Sequence, residues 1–381
     1  MEFANTYIAN GGSMSTILNQ VYNSTANPSM APVQKDLLFV ASNWSSPSFD
    51  LWEEEESDHF YTRMVQHRAL VMGTTFAKNM GDSATAATLS AAATALASTL
   101  NQFWFAYPIL RVRLRTNKSR DNTRKLILYE YGPVLRGKYS YKDAAVILGV
   151  LHGYAGDSYY SYTDPKVLSS ALEIATSFLI YPISNTTHDS QGRILGIPIG
   201  RYPEDVYNVR MLLPPQSNQV LTTTQGTGTQ TNGGNPWYLC TAAMAELFYR
   251  ASASYTATGK IAVTGTSLPF WTYFSPQANV SAGHTYQSSQ VEFFDMVNSL
   301  NGWGDAFMRT LSYYTPSNGH LTEEINRSTG KPQGAIDLTW SYASVLTAGA
   351  ARAAAMDNME AGYWRGLADI PIMTNGTGVG A

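Results

Sequence analysis

Apolar residues recur at helical spacing along most of this chain. From His59 to Met80, Phe60, Met64, Val65, Ala69, Leu70 and Phe76 form the stripe of a helix that buries one face, with Ser57 and Asp58 available as its N-cap. A second helix is expected from Ala84 to Trp104, rich in Ala and Leu behind Asp82 and Ser83. The same reading predicts helices at 141–151, 165–180, 236–254, 289–314 and 335–356, with Pro165 and Pro236 in first turns, where proline is tolerated. Phe3, Tyr7 and Ile8 before Gly11-Gly12 read as the tail of a helix closed by a glycine cap. Short strands are expected only near Leu126–Tyr129 and Lys260–Val263, and no β-α-β alternation emerges. The class is therefore mainly α.

Two stretches break the pattern. Asn208–Gly234 carries Pro214-Pro215 and then a run of Thr, Gln, Gly and Asn, too polar to order itself by burial, and is read as a flexible surface insertion at 208–234. The Gly-rich end at 374–381 is read as a disordered tail, which leaves 1–373 as one domain with no linker to a second module. No apolar run is long enough to span a membrane. Met1 is followed by neither a basic n-region nor an apolar h-region, so no signal peptide is expected in this chain.

Composition narrows the function. Only 14% of the residues are charged, against about 25% in an ordinary soluble domain, and the net charge is −3. That balance offers no footprint for a phosphate backbone, so nucleic acid is not an expected partner. In place of charge stand 24 Tyr, 8 Trp and 14 Phe, a mixture suited to neutral sugars or peptides. Cys240 is the only cysteine, which excludes an internal disulfide and a cysteine-based zinc cluster. The histidines show no metal-ligand spacing, and no nucleophile elbow, Walker loop or dinucleotide fingerprint is present, so no metal or cofactor is implied. The basic residues from Arg111 to Lys125 lack stacked aromatics and read as a solvated loop.

Candidate chemistry gathers in three clusters, each ahead of a predicted helix. They are Asp50-Leu51-Trp52-Glu53-Glu54-Glu55-Glu56; Gly200-Arg201-Tyr202-Pro203-Glu204-Asp205 with Asn235-Pro236-Trp237; and Asn318-Gly319-His320-Leu321-Thr322-Glu323-Glu324 with Asp337-Leu338-Thr339-Trp340. If the helices form a toroid, these clusters meet at one rim as an acidic, tryptophan-lined pocket. Tryptophan faces stack on sugar rings, and two carboxylates across a pocket are what glycosidic cleavage requires. Each cluster also has a structural reading. Glu53–Glu56 could be first-turn acids facing a helix dipole, the tryptophans core anchors, Arg201–Asp205 a surface ion pair and Glu323 a capping residue.

The motifs resemble those of one family. Ser46–Ser57, Val65–Leu70, Gly200–Asp205, Asn235–Cys240 and Asp337–Ala343 are similar, in order, to the signatures of the fungal glucoamylases, inverting glycosidases of glycoside hydrolase family 15. The resemblance implies an (α/α)6 barrel and release of β-glucose from the non-reducing ends of starch and maltooligosaccharides. It makes Glu53 the general acid, Glu323 the general base and Asp50 a secondary candidate that tunes Glu53. Arg201, Asp205 and Glu54 would contact or position the sugars, and Trp52, Trp237 and Trp340 would shape the pocket. Glu53 would need burial beside apolar or like-charged neighbours to hold its proton. The resemblance further implies a monomeric, extracellular protein. The upstream Arg-Asp clamp of the family is not found, so the barrel is expected to be N-terminally incomplete, and Glu324 stands where relatives carry glutamine. Two alternatives remain: a catalytically inactive glucan-binding remnant, and another α-toroid glycosidase of trehalase or glucodextranase type.

Overall fold

A computed structural model of the chain describes residues 1–23, 31–105, 125–131, 138–208 and 233–357. The expected insertion at 208–234, apart from Asn208, Gly233 and Gly234, lies outside the described residues, as do the tail at 374–381 and the basic stretch before Lys125. The chain divides into two units. One comprises Met1–Trp104, Leu128–Val134 and His152–Ser161, and the other Phe105–Ile127, Leu135–Leu151 and Tyr162–Ala381.

The first unit is built on α1 (Glu2–Ala9), α2 (Pro32–Asn43), α3 (Phe60–Asn79) and α4 (Ser83–Leu100). As expected, α1 ends beside a glycine, Gly11, at φ 85°. The Asp82 side chain caps α4 by accepting from the Thr85 N–H. Helices α2, α3 and α4 converge at Gly73, where an added Cβ would stand 2.6 Å from Leu37 and 3.2 Å from Leu89. Helix α2 is not among the elements predicted above; its buried residues are Gln34 and Leu37. The start of α3 also differs. Ser57 and Asp58 do not cap it but lie in β2 (Glu56–His59), paired antiparallel with β1 (Ser48–Phe49) on one side and β3 (Glu130–Tyr131) on the other. His59, in extended conformation, is the N-cap, and Asp58 instead pairs with Arg63 one turn into the helix. Helix α4 stops at Leu100 because the chain tightens into a 3₁₀ turn over Asn101–Phe103.

The second unit contains α5 (Ala145–Gly153, its residues to 151), α6 (Pro165–Ser177), α7 (Tyr238–Thr258), α8 (Leu268–Phe274), α9 (Val291–Tyr314) and α10 (Thr339–Asp357). Helix α5 begins after the expected Tyr141. That residue has φ 61°, and the buried Asp143, paired with Lys138 at 3.1 Å, receives the Ala145 N–H at 2.7 Å. Pro165 opens α6 as expected, whereas Pro236 precedes α7 in an extended segment bridged to Gly200. The seven-residue α8 is too short to show a period in sequence. The strand expected at Lys260–Val263 is β4 (Lys260–Ala262), paired with β5 (Thr285–Gln287), and the Leu126–Tyr129 region contributes a two-residue strand at Leu126–Ile127.

Helix α7 is the axis of this unit. Every residue from Tyr238 to Tyr249 is buried, the pattern of a helix enclosed on all sides, and it packs against both α9 and α10. Helix α9 is amphipathic and turns Phe293, Met296, Val297, Leu300, Gly304, Phe307 and Leu311 inward. Phe248 of α7 meets Phe270, Phe274 and Phe307 with ring centroids 4.9 to 5.5 Å apart. The polar tie across the three helices is Asp305, which accepts from Tyr249 Oη at 2.6 Å and from Arg352 Nε at 2.6 Å. No helix among the described residues is long and apolar enough to cross a membrane. Truncating the central ring should leave a cavity that packed neighbours cannot fill. Phe248→Ala is expected to lower unfolding stability by about 3–5 kcal/mol, and Phe39→Ala, on an exposed ring, by no more than about 0.5, both read from urea denaturation.

Candidate active site

In the first unit, β1 and β2 are joined by a loop that one carboxylate holds in shape. Asp50 is buried, and its Oδ1 accepts the N–H groups of Glu54 at 2.7 Å and Glu55 at 3.2 Å. Its backbone N–H bonds to the Glu55 carbonyl and its carbonyl accepts from Glu53 N–H, at 2.9 and 3.1 Å. One carboxylate oxygen that takes two following amides closes the loop on itself. Within this turn Glu53 has φ 60°, a conformation that costs a non-glycine residue roughly 1 kcal/mol or more and that aims its side chain into solvent. The expected burial of Glu53 is therefore not found: the residue is exposed, as is Glu54, while Trp52 beside them is buried. The acids are not in the first turn of a helix, so the dipole reading of Glu53–Glu56 fails. Glu55 instead accepts from Tyr129 Oη at 3.2 Å, and Glu56 begins β2.

In the second unit, short extended segments lie edge to edge and bring distant residues together. Trp237 N–H bonds to the Ile199 carbonyl at 2.8 Å, Ile325 N–H to the Pro236 carbonyl at 2.8 Å, and Trp237 bridges to Glu324. Glu324 opens β6 (Glu324–Ile325), which pairs with β7 (Pro332–Gln333). Arg201, Trp237 and Glu323 are thereby set side by side. Arg201 and Asp205 are 4% and 2% exposed and form a bidentate pair at 2.8 and 2.7 Å, a buried pair and not the surface one considered from sequence. The guanidinium lies over the rings of Tyr202, Tyr207 and Trp237 at 5.3, 4.9 and 5.5 Å.

Glu323 is half-buried and doubly held. Its oxygens accept from Tyr207 Oη at 3.2 and 3.4 Å, and Oε2 also from the Ala335 N–H at 3.3 Å. Burial first, and then the charges of Glu323 and Glu324, push the Tyr207 hydroxyl well above its ordinary pKa against the opposing Arg201, so it stays protonated and donates. The alternation of β6 turns Glu324 the other way. It is fully buried, and its Oε2 accepts from Asn235 Nδ2 at 3.2 Å and Gln333 Nε2 at 3.5 Å. Trp237 is buried and Trp340 half-buried in the first turn of α10. The loop before Trp340 is held by Asp337, which accepts from Tyr342 Oη and stands 2.6 Å from His320 Nδ1. Among the described residues no group of three or more His, Cys, Asp or Glu could hold a metal ion.

Sequence reading missed Tyr207, whose only signal is its place two residues after Asp205, and Gly334. At Gly334, with φ 78°, an added Cβ would stand 2.5 Å from Glu323 Oε2.

Comparison with known proteins gives concordant results. The family model of glycosyl hydrolases family 15 matches residues 1–350. The chain is 52% identical over 353 residues to a glucoamylase of Blastobotrys adeninivorans, covering 92% of this chain and 51% of that protein. It is 33% identical to glucoamylase 1 of Rhizopus oryzae, covering 84% and 46%. Among solved structures, the family 15 glucoamylase of Hypocrea jecorina superposes with a TM-score of 0.67 at 31% identity, covering 89% of this chain and 48% of that one. The fold class is thus the all-α, (α/α)6 class expected from sequence. The chain spans about half the length of the curated relatives it matches.

The two loops can be tested separately. Asp50→Ala removes the acceptor that closes the first loop and is expected to cost about 1–3 kcal/mol in urea denaturation, with most of it retained in Asp50→Asn. Gly334→Ala is expected to displace the Glu323 carboxylate, seen as altered carboxyl and amide chemical shifts at 323 and 335.

Proposed function

This chain belongs to glycosyl hydrolases family 15, and from that premise we propose that residues 1–373 are the catalytic part of an exo-acting glucoamylase. It releases β-glucose from the non-reducing ends of starch and maltooligosaccharides by single-displacement inversion. The observation that supports this best is the half-buried Glu323, held by two donors beside the buried Arg201–Asp205 pair and the rings of Tyr207 and Trp237. A carboxylate so fixed suits a base that must deprotonate one water in one direction.

Glu53 donates its proton to the glycosidic oxygen as the bond to the anomeric carbon breaks. Glu323 takes a proton from water as the oxygen of that water bonds to the anomeric carbon from the opposite face. Solvent then returns a proton to Glu53 and removes one from Glu323. The reading requires the two carboxyls to stand about 6.5–9.5 Å apart, leaving room for the water.

Asp50, whose oxygen is engaged by the loop amides, positions Glu53 without taking part in proton transfer. Arg201 and Asp205, which satisfy each other, shape the sugar site more than they reach into it. Glu54, exposed on the same loop as Glu53, contacts the sugar next to the scissile bond, and Trp52 in the first unit and Trp237 and Trp340 in the second serve to bind sugar. Both proton-transfer roles fall to carboxylates, so no cofactor is required. A monomeric, extracellular protein goes with this reading.

Residues 1–381 incubated with maltoheptaose are expected to release glucose that proton NMR detects first as the β anomer. Glu53→Gln and Glu323→Gln should each lower kcat/KM by about 10²-fold or more. The α anomer, or undiminished release by Glu53→Gln, would overturn the assignment. Binding of maltoheptaose without release would replace it with the glucan-binding alternative.

A further inference from the structure

We propose that Tyr207 is the positioning residue for Glu323, orienting its carboxylate on a pedestal made by the Arg201–Asp205 pair. The inference rests on the reading of Glu323 as general base. Its geometry begins at Asp205, whose Oδ1 accepts both from Arg201 Nη2 at 2.7 Å and from the Tyr207 backbone N–H at 2.8 Å. One carboxylate oxygen thereby fixes the cation and the tyrosine backbone together. The guanidinium then lies 4.9 Å from the Tyr207 ring centre, and the Trp237 ring centre stands 5.7 Å away with a 42° tilt. The half-buried ring packs against both, and its hydroxyl reaches both oxygens of Glu323 at 3.2 and 3.4 Å.

The second donor, Ala335 N–H, comes from the segment after β7, so the carboxylate is held from two sides of the chain. A water-activating base needs this restraint, because a carboxylate free to rotate presents its lone pair to the reacting water only part of the time.

The charged groups around the contact are Arg201 and Asp205 below the ring and Glu324 beside the base. Arg201 opposes the effect of the two glutamates on the Tyr207 hydroxyl, while Glu324 is turned toward Asn235 and Gln333. Tyrosine is a neutral donor, so it orients the Glu323 carboxylate without pairing its charge.

The test is maltoheptaose hydrolysis by the full chain beside its ¹³C-carboxyl NMR spectrum at fixed pH, with the Glu323 signal identified by its loss in Glu323→Gln. Tyr207→Phe is expected to lower kcat about tenfold, with KM changed less than about twofold, and to displace the Glu323 carboxyl signal. Should Tyr207→Phe fail to fold, 3-fluorotyrosine at 207, which keeps the ring and the hydroxyl, is expected to keep the fold and to displace the same signal. An unmoved Glu323 signal with unchanged kcat in the folded variant overturns the proposal and leaves the base assignment standing. Full activity in Glu323→Gln overturns the base assignment itself, whatever Tyr207→Phe does.

Discussion

The second unit's site depends on one buried ion pair. Removing Arg201 and Asp205 from water costs several kcal/mol per ion, and only close bidentate geometry with further hydrogen bonds offsets it. Both conditions are met: two contacts below 3 Å, a backbone amide on Asp205, and three aromatic faces around the guanidinium. An interaction with so narrow a tolerance leaves the 201–207 segment one conformation. That conformation delivers the Tyr207 hydroxyl to Glu323, 116 residues further along the chain.

The buried α7 supplies the base on which this pair stands. Thr241, one turn into that helix, receives the Ile199 N–H on its hydroxyl at 2.9 Å, and Ile199 in turn receives the Trp237 N–H. Close packing also dictates small residues. A Cβ at Gly200 would fall 2.0 Å from the hydroxyl of Tyr181, itself stacked on Phe178 with the Arg327 guanidinium 4.9 Å from its ring. In the first unit the analogous constraint is local: Asp50 spends its backbone and side chain on closing one loop, and the loop holds Glu53 at positive φ.

Sequence alone made the long helices and the clusters of acid and tryptophan legible, because both are local patterns. The stripe from Phe60 to Phe76 and the prolines and glycines at helix ends report on neighbours three or four residues away. What it could not show depends on partners far along the chain. Ser57 and Asp58 look like caps until Glu130 and Tyr131 pair with their strand. Pro236 looks like a first-turn residue until the strand segments at Gly200 and Ile325 engage it. The motif around Glu53 was readable, but the exposure of that residue was not, since it follows from the turn closed by Asp50. Tyr207 carries no motif of its own, and its role emerges only when Glu323 is folded beside it.

The most direct measurement is a double-mutant cycle on the pair, with Arg201→Met, Asp205→Asn and both together followed by urea denaturation. Each single variant is expected to lose about 3–5 kcal/mol, because it leaves one buried charge alone, and the double variant no more than either single. Small losses that simply add would contradict the claim that this pair sets the geometry of the site.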